Sequence, residues 1–132
     1  VKRTSKKKEY DFTGIKVLLV DDNLINVMVG KQILEKEKLK VEVANDGLIA
    51  VKRVKEQDFD IVLMDIQMPI MDGYKATKEI RKFNTEIPIL AISANVFVEV
   101  KDKIDECGMN GFIFKPFTPE DLLSQIEKFT RN

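Results

Sequence analysis

Five short apolar runs recur along this chain, each followed by a stretch of helical periodicity, and that alternation leaves few folds open. The runs are Ile15–Val20, Val41–Val43, Ile61–Met64, Ile87–Ile92 and Gly111–Phe114. Most are apolar on consecutive residues, the pattern of a strand buried on both faces. Val41 and Val43 instead alternate with polar neighbours, as on an edge strand. After the first run, Ile25, Met28, Val29 and Ile33 fall at i, i+3, i+4 and i+8, which predicts a helix packed by that face, running to about Lys36 and capped by Asn23. Ala50, Val51 and Val54 mark the buried side of a second helix. Gly73, Ala76, Thr77 and Ile80 give a third a close-packing face. Phe97, Val100, Ile104 and Cys107 give a fourth, closed by Gly108. Leu122, Leu123, Ile126 and Phe129 complete a fifth, with Thr118 as its cap and Pro119 at its first position. Strands that alternate with helices over short connections must pair in parallel, and right-handed crossovers put a helix on a face each time. The expected fold is α/β: a doubly wound five-stranded parallel sheet with five helices, a three-layer (βα)5 sandwich.

In such a sheet, ligands bind beyond the C-terminal ends of the strands. There the first run ends in Asp21-Asp22-Asn23 and the third closes on Asp65 before the turn from Ile66 to Gly73. The fourth ends in Ser93-Ala94-Asn95 and the fifth in Lys115-Pro116. Each has an ordinary explanation when taken singly: a carboxylate bonding the next loop, a helix-capping hydroxyl, an exposed amine. Polar ends on four buried strands form a set. Three carboxylates at one edge repel, and burial raises the cost of each charge, so a compensating cation is required. The chain has no His, and oxygen-only ligands point to a hard divalent ion. Mg²⁺ suits because it needs few carboxylates and keeps waters that a substrate oxygen can replace. No 12-residue acidic loop favours Ca²⁺. A carboxylate, a hydroxyl and an ammonium then surround a space fit for a tetrahedral anion, which reads as a phosphoryl-transfer pocket. Asp65 is the expected nucleophile. Asp22, and Asp21 partly through water, are expected to hold the metal, while Ser93 and Lys115 meet phosphoryl oxygens.

Composition removes other classes. At 132 residues the chain is one domain with a single core. Its one cysteine, Cys107, excludes an internal disulfide framework and fits a reducing, cytoplasmic compartment, reached free or tethered to the inner membrane through a parent sensor. No apolar run approaches the ~18 residues of a membrane span. Residues 1–14 hold five basic groups against Glu9 and Asp11, leaving 17 basic and 20 acidic residues in 15–132. The expected organisation is a basic linker over 1–14 and a mildly acidic domain over 15–132, with little support for nucleic-acid binding. Val rather than Met at position 1 suggests a segment of a longer polypeptide.

Four motifs in order, Leu-Leu-Val-Asp-Asp-Asn at 18–23, Met-Asp-Ile-Gln-Met-Pro-Ile-Met-Asp-Gly at 64–73, Ala-Ile-Ser-Ala at 91–94 and Phe-Lys-Pro-Phe at 114–117, make the chain resemble the receiver domain of two-component response regulators, from about Ile15 to Phe129. The resemblance implies a flavodoxin-like sandwich that takes a phosphoryl group from a phosphohistidine of a histidine kinase or phosphotransfer domain onto Asp65, and sheds it by autodephosphorylation. It implies Mg²⁺, with Mn²⁺ as a substitute, between Asp21, Asp22, Asp65 and the backbone carbonyl of Gln67. It also implies a cis peptide before Pro116 that aims Lys115 inward. On phosphorylation Ser93 and the ring at Phe112 would move and remodel the face of the fourth helix, fifth strand and fifth helix, with self-association through that face as one consequence. Gln67 and Asn95 would flank the path of attacking water and set the phosphoryl lifetime. Two departures stand out: Phe112 occupies a position where many members have Tyr, and Ser93 one where Thr is frequent.

The tail, the missing Met and the Asp-Asp-Asn-Leu-Ile-Asn segment favour the receiver of a hybrid sensor histidine kinase over a free-standing regulator or a degenerate docking module. A flavodoxin-type cofactor carrier would need a phosphate cradle after the first strand, where Asp21 and Asp22 stand instead. A phosphohydrolase would need a second acid to protonate the leaving group, and Gln67 cannot serve.

Overall fold

The computed structural model describes residues 12–93, 98–115 and 118–130, and of 98–101 the backbone alone. The elements run β1 (Lys16–Val20), α1 (Leu24–Lys36), β2 (Lys40–Ala44), α2 (Gly47–Glu56), β3 (Ile61–Asp65), α3 (Gly73–Arg81), β4 (Ile89–Ser93), α4 (Val98–Cys107), β5 (Gly111–Phe114) and α5 (Pro119–Thr130). All neighbours pair in parallel in the order β2-β1-β3-β4-β5. β3 is therefore central and β2 an edge, as the alternation of Val41 and Val43 predicts. Pro88 falls just before β4 rather than inside it, where its missing N–H costs no ladder bond, and its carbonyl accepts from Val62 N at 2.9 Å.

Successive strand residues point to opposite faces, and the core divides accordingly. Leu18, Val20, Val62, Met64 and Ala91 pack against Ala50, Val54, Ala76, Ile80, Ile104 and Cys107 of α2, α3 and α4. Val17, Leu19, Ile61, Leu63 and Ile92 pack against Leu34 of α1 and Leu122, Leu123 and Ile126 of α5. This is the three-layer sandwich. Phe12, on the tail side of the expected boundary, is buried in the second cluster, and Ile15 N donates to its carbonyl at 3.0 Å. The packed domain thus reaches back at least to Phe12.

The face expected to bury α1 is corrected. Val27, Gly30 and Leu34 are the buried residues of this helix, while Ile25, Met28 and Val29 are exposed and Ile33 is half-buried. Gly30 decides the orientation: a Cβ there would lie 3.1 Å from Leu19 Cδ2, so the small residue faces the sheet and the large ones face out. Elsewhere the predicted faces hold. Gly73, Ala76, Thr77 and Ile80 are all buried, as are Ile104 and Cys107 of α4. Phe97 and the Val100 side chain lie outside the described residues.

Candidate phosphoryl-transfer site

The site follows from where the ladders stop. β1 and β3 are adjacent, with Val20 opposite Met64, so Asp21 and Asp65 emerge side by side at the C-terminal edge. β4 pairs with β3, placing Asp65 opposite Ile92, and Ser93 opposite Phe114 brings the fifth strand to the same edge. Lys115 N then donates to Ser93 O at 2.8 Å. Both Asp21 and Asp65 are buried carboxylates, and Ser93 is buried with them.

Asp21 Oδ1 accepts from Asn23 N at 2.9 Å, and Asn23 Oδ1 in turn accepts from Ile25 N and Asn26 N. The pocket wall and the cap of α1 are thus one hydrogen-bonded unit. After β3, Gln67 N donates to Asp65 Oδ1 at 3.3 Å, and Gly73 N to Ile66 O at 2.9 Å. A Cβ at Gly73 would sit 2.4 Å from the Asp65 carbonyl oxygen, so only glycine lets α3 begin this close to the end of β3. Gly47 does the same on the neighbouring loop: its N–H donates to Met71 O at 3.1 Å, and a Cβ would lie 2.3 Å from that oxygen.

Across a separation of 94 residues, Lys115 Nζ reaches Asp21 Oδ2 at 3.3 Å and Asp65 Oδ1 at 3.7 Å. One ammonium therefore bridges two buried carboxylates, which spacing along the chain gives no means of measuring. Burial, and then the neighbouring charge of Asp21, push the Asp65 carboxyl up from 3.8 to about 6, while Lys115 opposes the rise. A single ammonium does not fully compensate the pair. Asp22, exposed, completes the group: one oxygen from each of Asp21, Asp22 and Asp65 lies within 4.8 Å of the others. Such an all-oxygen set with an uncompensated charge fits a hard divalent cation.

Asp21, Asp22, Asp65, Ser93 and Lys115 thus come together as expected, and Gln67 stands exposed at the mouth beside them. Phe112 does not enter this cluster. It is half-buried against the core and stacks edge-to-face with Phe114, centroids 4.7 Å apart. Asn95 and Pro116 lie outside the described residues. Leu24, Ile25 and Met28 of α1 are large, apolar and exposed, and the signal available for them was Gly30, which marks the opposite face of the helix as the packed one.

Residues 17–127 match the family model described as the response regulator receiver domain. Among curated proteins, the chain is 38% identical over 123 residues to hybrid signal transduction histidine kinase M of Dictyostelium discoideum, covering 88% of this chain but 5% of that protein. The chain therefore spans a small fraction of that relative's length. Among solved structures, the receiver domain of the sensor histidine kinase PA1611 from Pseudomonas aeruginosa, with magnesium coordinated in its active-site cleft, superposes with a TM-score of 0.85 at 33% identity over 91% of this chain and 100% of that one. The receiver domain of Saccharomyces cerevisiae Ssk1, solved with the histidine phosphotransfer protein Ypd1, gives a TM-score of 0.83 at 30% identity, covering 88% of each chain.

Proposed function

The chain belongs to the response regulator receiver domain family, and we propose that its pocket accepts a phosphoryl group from a phosphohistidine of a partner protein onto Asp65. The observation that carries this reading is Lys115 standing 3.3 and 3.7 Å from two buried carboxylates, one of which, Asp65, closes the central strand. An Asp65 oxygen forms a bond to phosphorus as the P–N bond of phosphohistidine breaks. The bonding pair returns to the ring nitrogen, and the imidazole, protonated on its other nitrogen, leaves neutral. Lys115 exchanges a carboxylate contact for a phosphoryl oxygen, and the Ser93 hydroxyl donates to another. Asp21, Asp22, Asp65 and the Gln67 carbonyl would hold Mg²⁺, or Mn²⁺ in its place, which when bound neutralises charge on the transferring group.

Gln67 and Asn95 are the residues proposed to govern how quickly water removes the phosphoryl group. Ser93 and Phe112 are proposed to relay its presence to the face of α4, β5 and α5. In that relay Phe112 has no phenol hydroxyl, so the ring acts by packing and must leave Phe114 to turn inward. The partner class is a histidine kinase or phosphotransfer domain, supported by the Ssk1 receiver having been solved with Ypd1. A hybrid histidine kinase is the parent chain we infer, since a 38% identical relative is one.

The test is intact mass after incubation with acetyl phosphate and Mg²⁺. One phosphoryl addition is expected in the native chain and none in Asp65→Asn or after chelation. A folded native chain that gains no mass would overturn the reading.

A further inference from the structure

The helices on one side of the sheet divide their charge by sign. α3 lies in the middle of that layer, packed between α2 and α4. From Gly47 to Glu56 and from Gly73 to Lys82 there are seven basic residues against two acids. Because Gly73, Ala76, Thr77 and Ile80 face the core, Lys75, Lys78 and Lys82, at i, i+3 and i+7, form an exposed row along the opposite side of α3. Lys52 and Lys55 widen it on α2. Of these five lysines, only Lys82 pairs with a carboxylate of the described residues, Glu79 at 2.9 Å. The Glu79 carboxyl is held below its ordinary value by that bond first, and also by the charges of Lys75 and Lys55. Lysines of both helices thus converge on one acid.

The next helix in the layer reverses the sign. Ile104 and Cys107 of α4 are buried, which leaves Asp102, Asp105 and Glu106 exposed, none of them paired with a basic side chain of the described residues. α3 and α4 lie alongside each other over their length. Lys103 Nζ stands 5.7 Å from the centroid of the Tyr74 ring near the start of α3, and Arg81 Nε donates to Gly108 O at 2.9 Å at its end. A basic row and an acidic row therefore run side by side. A hollow of about 340 Å³, lined by Asp72, Tyr74, Lys75, Lys78 and Glu79, opens in the basic part of this face.

We propose that this face seats a second copy of the chain in a closed two-fold dimer. A half-turn about an axis that follows the boundary between the rows sets Lys75 and Lys78 of each copy opposite Asp102 and Glu106 of the other. Both contacts form together, and the assembly closes at two copies. An anionic membrane or a nucleic acid would meet the acidic row along with the basic one, and like charges brought face to face oppose that contact. Exposed ion pairs are individually weak, so the dimer is a low-affinity one that salt loosens. It needs no phosphoryl group on Asp65.

Sedimentation equilibrium of the full chain, at about 20 mM and about 500 mM salt, tests this. The native chain should form a dimer and nothing larger at low salt, with a dissociation constant about ten-fold higher or more at high salt. Lys75→Glu with Lys78→Glu, and separately Asp102→Lys with Glu106→Lys, should each be monomeric, because both contacts then set like charges together. An equimolar mixture of these two variants should dimerise again, since each altered row meets one of opposite sign. Urea midpoints show whether the variants are folded. Where a reversal unfolds the chain, Lys75→Gln with Lys78→Gln, or Asp102→Asn with Glu106→Gln, takes its place and should weaken the dimer about five-fold. A native chain that stays monomeric up to about 1 mM at low salt overturns the proposal. So does a dimer that persists in either reversed variant, a neutral variant that dimerises as the native chain does, or a mixture that remains monomeric. Species that keep growing beyond two copies overturn it as well, as the mark of an open head-to-tail chain.

Discussion

Asp65 carries opposing demands in one side chain. The proposed attack on phosphorus requires it ionised, yet burial and the charge on Asp21 raise its carboxyl from 3.8 to about 6. Folding therefore lets the native state keep a proton that the unfolded chain releases between those values. Stability falls as pH rises across that window, and above it the loss is complete, at most about 3 kcal/mol. An isosteric amide removes the term. In the presence of a chelator, Asp65→Asn should unfold at higher urea than the native chain at pH 7.5, by about 2 kcal/mol, with the gap closing toward pH 4. Added Mg²⁺ should narrow the gap at pH 7.5 by stabilising the native chain alone. Equal urea midpoints for the two proteins at pH 7.5 without metal would mean that Lys115 already compensates the pair. The Asp65 end of its strand was legible because a buried run that closes on a carboxylate is conspicuous. Its ion pair with Lys115, which joins the third and fifth strand ends, was not, since only the sheet order brings them together.

Among the elements, helix ends and turns show where sequence rules were overridden. α1 terminates with Leu39 N donating to Leu34 O at 3.2 Å and Lys38 N to Glu35 O at 3.0 Å, the paired bonds of a Schellman motif. The residue that must adopt the left-handed conformation is Lys38, at φ +71°, where glycine is the usual choice. Nothing in the Glu37-Lys38-Leu39 sequence announces that turn. The exposed face of α1 was misread for a related reason. Its first two turns are apolar on both sides, so the strongest i, i+3, i+4 row is not the buried one, and only the small Gly30 tells which side meets Leu19. Ile70 is the second left-handed non-glycine residue among those described, in the loop between β3 and α3. Lys38→Gly should raise stability by about 0.5–1 kcal/mol with unchanged phosphoryl acceptance. Ile70→Gly should stabilise by a similar amount. Urea midpoints and acetyl phosphate labelling check these outcomes, and a loss of stability in Lys38→Gly would show that its side chain contributes more than its backbone conformation costs.

For the molecule as a whole, the alternation of strands and helices fixed which residues reach the C-terminal edge, but the opposite edge is held by a residue that no pattern singles out. Arg81, at the end of α3, donates from Nε to Gly108 O at 2.9 Å, from Nη1 to Asn84 O at 3.1 Å and from Nη2 to Asn110 Oδ1 at 2.9 Å. Asn110 Oδ1 also accepts from Ile89 N, at 2.8 Å. One guanidinium thus ties the end of α3, the loop before β4, the carbonyl just past α4 and the approach to β5. Three charge-assisted bonds at a half-buried site, with acceptors left unmet on truncation, predict a cost of about 3 kcal/mol for Arg81→Ala. Arg81→Lys should recover only a minor part, because a single ammonium cannot reproduce the fork. The Asp65 pocket lies at the other end of the strands, so acetyl phosphate labelling should survive in both variants at temperatures where they remain folded. Hydrogen exchange should then show the amides from Ile104 to Ile113 losing protection before those of β1 and β3. If Arg81→Ala unfolds at the native urea midpoint, the tie carries no stability. If it abolishes labelling while folded, the two ends of the sheet are coupled, and any motion of α4 on phosphorylation must be transmitted through its C-terminal anchor rather than pivot about it.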